Sequence, residues 1–361
     1  MPKPRADLAI LGPYPPPFGG ISIHIQRLLP RLDANRISWR LYNLSSESVP
    51  DRSHRPIRFP LARYLAFLAT SDEPLVHIHG LDHTLARLGA VVLRQRKRKV
   101  VLSYHNERII GALRSRRRPL IVAAARAASA IHSVNPRISA AFVEAGVSPD
   151  KILTLPAFLP PSSIESPLPE HIDQFIREHS PCMLVMGTAC DDIERDRYGL
   201  YLLPALLARL AAEYPHVGVV ITITGKCGIE SGVVRALRAG LDDLGVRDRA
   251  LITNAFDGFV SLLKRVDAYL RPSMTDGDAL AVREALWFGV PVVASDAAPR
   301  PEGTTLFRSG DPASLLASTL VALSDRRDSG ATRQTNDPGE AFIALYRRLL
   351  GSAGVPIDRQ S

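Results

Sequence analysis

The stretch TDGDALAVREALWFGVPVVASD covers residues 275–296, and four of its charged side chains fall within nine consecutive residues. They are Asp276, Asp278, Arg283 and Glu284. A solvated helix face is one explanation of this pattern. The other is a binding site at the edge of a sheet, where carboxylates accept hydrogen bonds from hydroxyl groups and a helix N-terminus attracts an anion.

The middle of this stretch has the residue types that would hold a diphosphate. Asp278 is placed to cap a helix that begins near Ala279. The backbone amides of the first helical turn, at Ala279 and Leu280, then point towards a bound anion, and Gly277 lets the backbone approach it closely. We therefore predict that these four residues form the binding site of a nucleotide diphosphate, with the amides on its phosphates.

The two outer acids suit hydroxyl groups better than phosphate. Glu284 lies more than one turn into the helix, where its carboxylate can accept two hydrogen bonds from a vicinal diol such as a ribose. Asp276 precedes the helix and can accept hydrogen bonds from the hydroxyl groups of a sugar. Charge-assisted hydrogen bonds of this kind contribute roughly 1.5–3 kcal/mol each.

The elements that must position these residues follow a regular order. Short apolar runs alternate with helical patterns along the chain, which is typical of βαβ units and a parallel sheet. The runs predicted as strands are LAIL, PLVHIHG, KVVLSYHN, SAIHSV, CMLVMG, VGVVITITG, ALITN, AYLRPS and VPVVASD. Ligands of open α/β sheets bind beyond the carboxyl ends of the strands. The charged stretch follows the strand AYLRPS and so lies at such an edge.

The strand and helix patterns occur in two halves, separated by the proline-rich segment PAFLPPSSIESPLPE. Prolines at this density interrupt helices and central strands. We predict a first domain over residues 1–157, a hinge over 158–170 and a second domain over 171–340. The amphipathic tail, residues 341–361, is predicted to be a helix that crosses back to the first domain.

The composition indicates which kind of partner and which cellular compartment to expect. A net charge of +9, from 45 basic and 36 acidic residues, favours an anionic partner, although solvation alone would also explain it. The three cysteines show no metal-type spacing and fit a reducing compartment. No apolar segment is long enough for a signal peptide or a membrane span, so we expect a cytoplasmic protein.

The stretch around Glu284 resembles the signature of retaining glycosyltransferases of family 4, which have the GT-B fold. That signature has two acids eight positions apart, here Asp276 and Glu284, followed by EAL, a glycine and PVVASD. The family usually has glutamate at the first position. The longer string RPSMTDGDALAVREAL, with RPEG at 300–303, resembles a branch from bacterial surface-polysaccharide pathways. The resemblance implies two doubly wound Rossmann-like domains that face a central cleft.

The resemblance extends over nearly the whole chain. GPYPPPFGGISIHIQRL is similar to the family's first loop and helix, in which Gly19 and Gly20 would let the chain pass close to the donor or the acceptor. The strand-end motif YHN contains His105, which matches the family histidine that lines the sugar pocket. The resemblance thus implies His105, Asp276 and Glu284 as catalytic residues. His77 and His79 are expected to serve packing.

One position departs from the family pattern. Family members carry an arginine and a lysine after the first strand of the second domain, whereas this chain has Tyr198-Gly199 in place of Lys-Gly. Another cation must then bind the donor diphosphate, and the sequence leaves several candidates open. They are Arg195, Arg197, Lys226, Arg271, Arg283 and Arg300.

The resemblance implies a reaction and a location. A sugar moves from a nucleotide-diphosphate donor to an acceptor hydroxyl with retention of configuration, and neither a metal nor another cofactor is expected. The acceptor is expected to be a lipid-linked saccharide. Two basic runs, RQRKRK (94–99) and RSRRR (114–118), flank ERIIGAL with its Ile109, Ile110 and Leu113. Such a surface suits an anionic membrane, which places the protein peripherally on the inner face of the plasma membrane.

Three other classes stay open at this point. A nucleotide-sugar epimerase would share the fold but needs further catalytic acids, and none stands out. A nucleic-acid-binding protein would explain the charge, but the basic residues are not interleaved with aromatics, so no nucleic acid is expected as partner. A non-catalytic subunit that kept the GT-B fold is the third class, and Tyr198 is the feature that favours it.

Overall fold

The structure, a computed structural model, divides the chain into two compact units. The first comprises Met1–Leu159 together with Asp337–Ser361, and the second comprises Pro160–Asn336. The described residues are 5–15, 19–43, 54–56, 61–79, 83–161, 166–188, 196–224, 228–256, 258–276, 278–325 and 337–351.

The first unit contains a sheet of seven parallel strands. Its strands are β1 (Leu8–Gly12), β2 (Trp39–Asn43), β3 (His54–Pro56), β4 (Leu75–His79), β5 (Lys99–Tyr104), β6 (Ala130–Ser133) and β7 (Ile152–Thr154). They lie in the order β3-β2-β1-β4-β5-β6-β7. After β1 the strands are added on one side of the sheet, and from β4 onwards they are added on the other side. The carboxyl ends of the neighbouring strands β1 and β4 are therefore the switch point of this sheet.

Helices cover both faces of the first sheet. They are α1 (Gly20–Ala34), α2 (Leu61–Thr70), α3 (His83–Gln95), α4 (Arg108–Leu113), α5 (Arg118–Ala127), α6 (Pro136–Glu144) and the C-terminal helix α13 (Gly339–Gly351). One apolar core includes residues of α5 and α6, and the other joins α1, α13 and the sheet. Phe342 and Tyr346 of α13 are fully buried in that second core, so α13 is part of the first unit.

The second unit contains six parallel strands. They are β8 (Cys182–Thr188), β9 (Gly218–Thr224), β10 (Ala250–Asn254), β11 (Ala268–Arg271), β12 (Val292–Ser295) and β13 (Thr304–Phe307). Their order is β10-β9-β8-β11-β12-β13, so the switch point lies between β8 and β11. The helices are α7 (Glu170–Glu178), α8 (Leu203–Leu210), α9 (Gly232–Asp243), α10 (Phe259–Leu263), α11 (Leu280–Trp287) and α12 (Pro312–Asp325).

The local sequence explains why the predicted site forms between β11 and β12. β11 and β12 are buried throughout, as expected for central strands of a sheet covered on both faces. α11 ends at Trp287, and Gly289 then adopts a positive φ of 72°, which is the helix stop that the sequence predicted. The prediction of an α/β chain with two doubly wound sheets is confirmed. No helix among the described residues is long and apolar enough to cross a membrane.

Candidate functional site

The switch point of the second unit brings two loops together. One follows β8 and contains Arg197, Tyr198 and Gly199, and the other runs from Pro272 to Ala279 between β11 and α11. The amide of Met274 in the second loop donates to the carbonyl of Arg197 at 2.8 Å. Residues separated by about 75 positions in sequence thus form one site at the predicted edge of the sheet.

Asp276 is the centre of a buried ion-pair cluster. Its Oδ2 accepts from Arg271 Nε at 2.9 Å, from Arg300 Nη1 at 2.8 Å and from Ser273 Oγ at 3.1 Å. Its Oδ1 accepts from Arg271 Nη2 at 3.1 Å, which makes the Arg271 pair bidentate. Burial alone would raise the pKa of Asp276, but the two arginines lower it to about 2. The carboxylate is therefore ionised at neutral pH.

Arg300 is held on every side by its own unit. Besides Asp276, its guanidinium donates through Nε to the Ser295 carbonyl at 3.0 Å and through Nη2 to Ser273 Oγ at 3.1 Å. Its side chain is 2% exposed. All three nitrogens of Arg300 thus donate within the protein, and its contact with the diphosphate stays a prediction. Sequence reasoning missed Ser273 and Ser295, which no charge or motif singled out.

Tyr198 occupies the position of the usual lysine and contacts the same cluster. The guanidinium carbon of Arg271 lies 4.8 Å from the centre of the Tyr198 ring, a cation–π contact. Gly199 follows with a positive φ of 65°, and an added Cβ there would lie 2.1 Å from the Pro272 carbonyl oxygen. The glycine is thus required by the close approach of the two loops.

The structure corrects the expected cap of α11. The N-cap residue is Ala279 instead of Asp278, and the side chain of this N-cap residue makes no cap hydrogen bond. Asp278 instead accepts from Arg283 Nε at 2.5 Å, and its side chain is 7% exposed. Arg283 is therefore also paired. Leu280 begins the helix, and Gly277 lies outside the described residues.

Glu284 lies buried on α11, in the second turn as predicted. The negative charges of Glu284 and Asp276 both disfavour ionisation of the Tyr269 phenol in β11. Burial and these two carboxylates raise the pKa of Tyr269 to about 12, against the opposing effect of Arg271. Both acids of the predicted motif lie between β11 and β12, Asp276 in the loop and Glu284 in α11. Glu284 is 3% exposed, so no solvated helix face explains it.

The remaining candidate cations differ in placement. Arg197 is exposed, and in the part of the chain that the structure describes its side chain forms no ion pair. Its backbone is nevertheless fixed beside the β11–α11 loop by the Met274 amide. Arg195 and Lys226 lie outside the described residues. Among the described residues, no group of three or more histidine, cysteine, aspartate or glutamate side chains is arranged to hold a metal ion.

The two candidate glycines of the first unit, Gly19 and Gly20, lie at the start of α1. Gly19 is the N-cap residue, with extended backbone, and its amide donates to Ser22 Oγ at 2.9 Å. Gly20 is exposed, and an added Cβ there would meet no atom within 4 Å. Internal packing therefore does not demand glycine at position 20.

Strand-end histidines form a buried network in the first unit. His132 Nε2 lies 2.9 Å from the Leu155 carbonyl, which can only accept, so His132 Nδ1 must accept from Ser103 Oγ at 2.8 Å. Ser103 in turn accepts from His77 Nε2 at 2.7 Å, and His77 Nδ1 accepts from Tyr346 Oη at 2.6 Å. Every proton in this series of hydrogen bonds is thus assigned, and the imidazole rings are neutral.

His105 adjoins this network. Its Nε2 lies 3.1 Å from His79 Nδ1, and both rings lie between 5 and 6 Å from the ring of His24 in α1. Burial lowers the pKa of His24 to about 4 and that of His132 to about 3, and it holds the pKa values of the other three well below the usual range. The structure thus brings His105 together with the two histidines expected to serve packing. The sequence analysis missed His24 and His132, although the latter also stands in a predicted strand.

One family model matches the second unit. Residues 183–325 match the family described as Glycosyl transferases group 1, and they run from β8 to the end of α12. The second unit carries a glycosyltransferase group 1 domain. The match contains both acids of the candidate site and the Tyr198-Gly199 loop. The prediction of a glycosyltransferase is confirmed at this level.

Solved structures establish the fold of the whole chain. A glycosyltransferase from Rickettsia africae ESF-5 is 10% identical with a TM-score of 0.70, over 96% of this chain and 99% of that one. Anabaena Alr3699/HepE in complex with UDP-glucose is 14% identical with a TM-score of 0.68, over 96% of each chain. A Listeria monocytogenes protein assigned as a UDP-N-acetylglucosamine 2-epimerase is 13% identical with a TM-score of 0.66, over 96% and 97%.

These structural similarities confirm the predicted GT-B fold. Because the sequence identities are so low, they show the fold alone. No curated protein sequence matches the chain.

Proposed function

We propose that this protein is a retaining glycosyltransferase of family 4 that transfers a sugar from a nucleotide-diphosphate donor to an acceptor hydroxyl. The placement of Asp276 and Glu284 directly after β11, at the switch point of the glycosyltransferase domain, carries the proposal. The Anabaena neighbour was solved with UDP-glucose, which supports a nucleotide sugar as the donor class.

The roles of the donor-binding residues follow from their positions. Glu284 accepts hydrogen bonds from the two ribose hydroxyls, since its buried carboxylate lies one turn beyond the start of α11. The amides of the first turn, at Ala279 and Leu280, bind the diphosphate together with Gly277. In the first unit, Gly19 and Gly20 leave room beside the N-terminus of α1, and His105 contacts the transferred sugar.

Arg197 is the cation that we assign to the diphosphate. Arg271, Arg283 and Arg300 are already paired with carboxylates. Arg197 is exposed, and its backbone is anchored beside the loop that leads into α11. Arg195 and Lys226 are proposed as further contacts. A guanidinium near the departing diphosphate stabilises the charge that develops there.

The proposed reaction needs no nucleophile from the protein. The bond between the anomeric carbon and the diphosphate oxygen breaks, and the acceptor oxygen bonds to that carbon on the same face. The departing diphosphate oxygen takes the proton of the acceptor hydroxyl. The protein contributes by orienting donor and acceptor and by stabilising the leaving group.

We expect this reaction to proceed without a divalent cation. The proposed diphosphate site consists of backbone amides and arginine, which neutralise the charge that a metal would otherwise balance. Turnover in excess EDTA should therefore equal turnover in untreated buffer, measured as release of the nucleoside diphosphate. A loss of turnover on chelation that magnesium or manganese restores would contradict this prediction.

The proposed acceptor is a lipid-linked saccharide in polysaccharide, O-antigen or capsule biosynthesis, reached at the inner face of the plasma membrane. The second basic run supports this proposal, since every residue from Arg114 to Leu120 is exposed and Leu120 is 56% exposed. The first run does not: Arg96 donates to the carbonyls of Leu68 and Ser71 and so stabilises its own unit. The apolar surface expected between the runs is also wrong in part, because Ile109 and Leu113 are buried.

Replacing Arg114, Arg116, Arg117 and Arg118 with glutamine should weaken binding to anionic vesicles at least tenfold and leave nucleotide binding unchanged. Each basic side chain near an anionic surface contributes about 1 kcal/mol, and the four do not all reach the membrane at once. Co-sedimentation with vesicles at low and high salt measures the effect, which salt should reduce. The matched control replaces Arg209, Arg235, Arg247 and Arg265, which are exposed on the second unit. Equal binding of both variants would contradict the membrane assignment.

The function itself is tested by incubating the protein with a panel of nucleotide sugars and a lipid-linked saccharide extract. Transfer with retained anomeric configuration, read by NMR of the product, is the expected result. An epimerase would instead change the sugar configuration without an acceptor, and a non-catalytic subunit would bind the donor without turnover.

A further inference from the structure

The cluster around Asp276 joins three separate segments of the second unit. Arg271 ends β11, Ser273 and Asp276 belong to the loop that follows, and Arg300 comes from the segment after β12. We propose that Asp276, Arg271 and Arg300 form a lock that fixes the β11–α11 loop, and that Asp276 is a positioning residue instead of a ligand of the sugar. This inference rests on the proposed function for its effect on the donor.

The hydrogen bonds of the carboxylate are the first argument. Two carboxylate oxygens offer about four lone-pair positions. Four donors of this unit already bind these oxygens at 2.8 to 3.1 Å: three meet at Oδ2, and Arg271 Nη2 binds Oδ1. A sugar hydroxyl would have to displace an arginine or Ser273 to reach Oδ2, and the side chain of Asp276 is only 10% exposed. The carboxylate is thus engaged with its own unit, which fits a positioning role better than the sugar contact that the family resemblance implied.

The buried charge is the second argument. The side chains of Arg271, Asp276 and Arg300 are 8%, 10% and 2% exposed, so each arginine depends on the one carboxylate between them. Removing one partner of a buried ion pair leaves an uncompensated charge and is strongly destabilising. The lock is thus a single unit whose members cannot be removed independently.

Tyr198 completes the lock and explains the departure from the family pattern. Its ring lies against the Arg271 guanidinium, at the position where relatives carry lysine. A lysine at position 198 would place a third cation beside Arg271. Arginine in β11 and tyrosine in the β8 loop therefore compensate each other, so Tyr198 is no sign that donor binding has been lost.

The lock acts on the donor through the loop. The loop from Pro272 to Ala279 leads directly into the first turn of α11, whose amides we assign to the diphosphate. Holding this loop in one conformation lowers the cost of ordering it when the nucleotide binds. A positioning role predicts weaker binding of the nucleotide even without a sugar. A sugar-contact role predicts weaker binding of the nucleotide sugar only.

A double-mutant cycle separates these roles. The variants are Asp276→Asn, Arg300→Gln and the double variant, with Arg265→Gln as control because it removes the ion pair of an exposed arginine in the same unit. The readouts are thermal unfolding of the second unit, followed by Trp287 fluorescence in a Trp39→Phe background, and calorimetric titration with UDP and with UDP-glucose.

We expect each single change to lower the unfolding midpoint by about 10 °C, and the double variant to fall no further than the worse single one. UDP and UDP-glucose should lose affinity by the same factor. Additive midpoint shifts would overturn the lock whatever the protein binds. If the affinity for UDP stayed unchanged while UDP-glucose bound more weakly, Asp276 would be a sugar contact and the positioning role would be wrong. As a second arm, Tyr198→Lys should lower the midpoint and Tyr198→Phe should not.

Discussion

Glu284→Gln should weaken the binding of the nucleotide donor by about ten- to a hundredfold and leave the second unit folded. The amide keeps the size and shape of the side chain, but it loses the charge and one of the two acceptor oxygens. One charge-assisted hydrogen bond is worth about 1.5–3 kcal/mol, and about 1.4 kcal/mol corresponds to a factor of ten in affinity. Calorimetric titration with the nucleoside diphosphate measures the loss directly.

The matched control for this variant is Glu213→Gln, an exposed glutamate of the same unit. It should bind the nucleotide as the wild type does. A 2′-deoxy nucleotide provides a second comparison: it keeps only the 3′ hydroxyl, so its affinity should differ less between the wild type and Glu284→Gln than that of the normal nucleotide. Unchanged affinity of Glu284→Gln for the normal nucleotide would contradict the ribose role.

Mild acid should unfold the first unit well before the second. His24, His77, His79 and His132 are fully buried, and burial lowers their pKa values below the unfolded value of about 6.5. The unfolded chain therefore binds protons below that pH that the folded unit does not. Stability is greatest above pH 6.5 and falls towards pH 4. Between pH 7.5 and pH 5 the loss is about 2 kcal/mol for each histidine.

The chain offers a convenient way to follow each unit alone, because its two tryptophans lie in different units. A Trp287→Phe variant reports the first unit through Trp39, and Trp39→Phe reports the second unit through Trp287. Urea unfolding at pH 7.5 and pH 5 should show a large loss for the first unit. The second unit has no buried histidine among its described residues and should change little. Equal losses in both units would contradict the assignment of neutral buried histidines.

The sequence predicted the central strands and the edge at which the site forms. Runs such as CMLVMG and VGVVITITG are continuous and apolar because these strands are buried on both faces. It did not predict β2, β3, β7 or β13. Of these, β2, β7 and β13 are only partly buried, so their residues are mixed and carry no clear alternation. Partly buried strands are therefore harder to recognise in the sequence than continuous apolar ones.

Only part of the candidate site could be predicted from the sequence. Spacing identified Asp276 and Glu284, because both positions are fixed relative to one strand and one helix. The partners of Asp276 were not predictable, since Arg271 and Arg300 are 29 positions apart and meet only when β11 and β12 pair. The cap was misassigned because Asp278 has a nearer cation in Arg283, which competes with the helix amides for its carboxylate.

The central claim is that the second unit binds a nucleotide-diphosphate sugar through Glu284 and the first turn of α11. Thermal unfolding of the wild type and Glu284→Gln across a panel of nucleotide sugars tests it most directly. At a hundredfold excess over its dissociation constant, the correct donor should raise the unfolding midpoint of the wild type by about 5 °C or more. Glu284→Gln should show a clearly smaller shift at the same concentration. The absence of any shift with every nucleotide sugar at millimolar concentration would contradict the account.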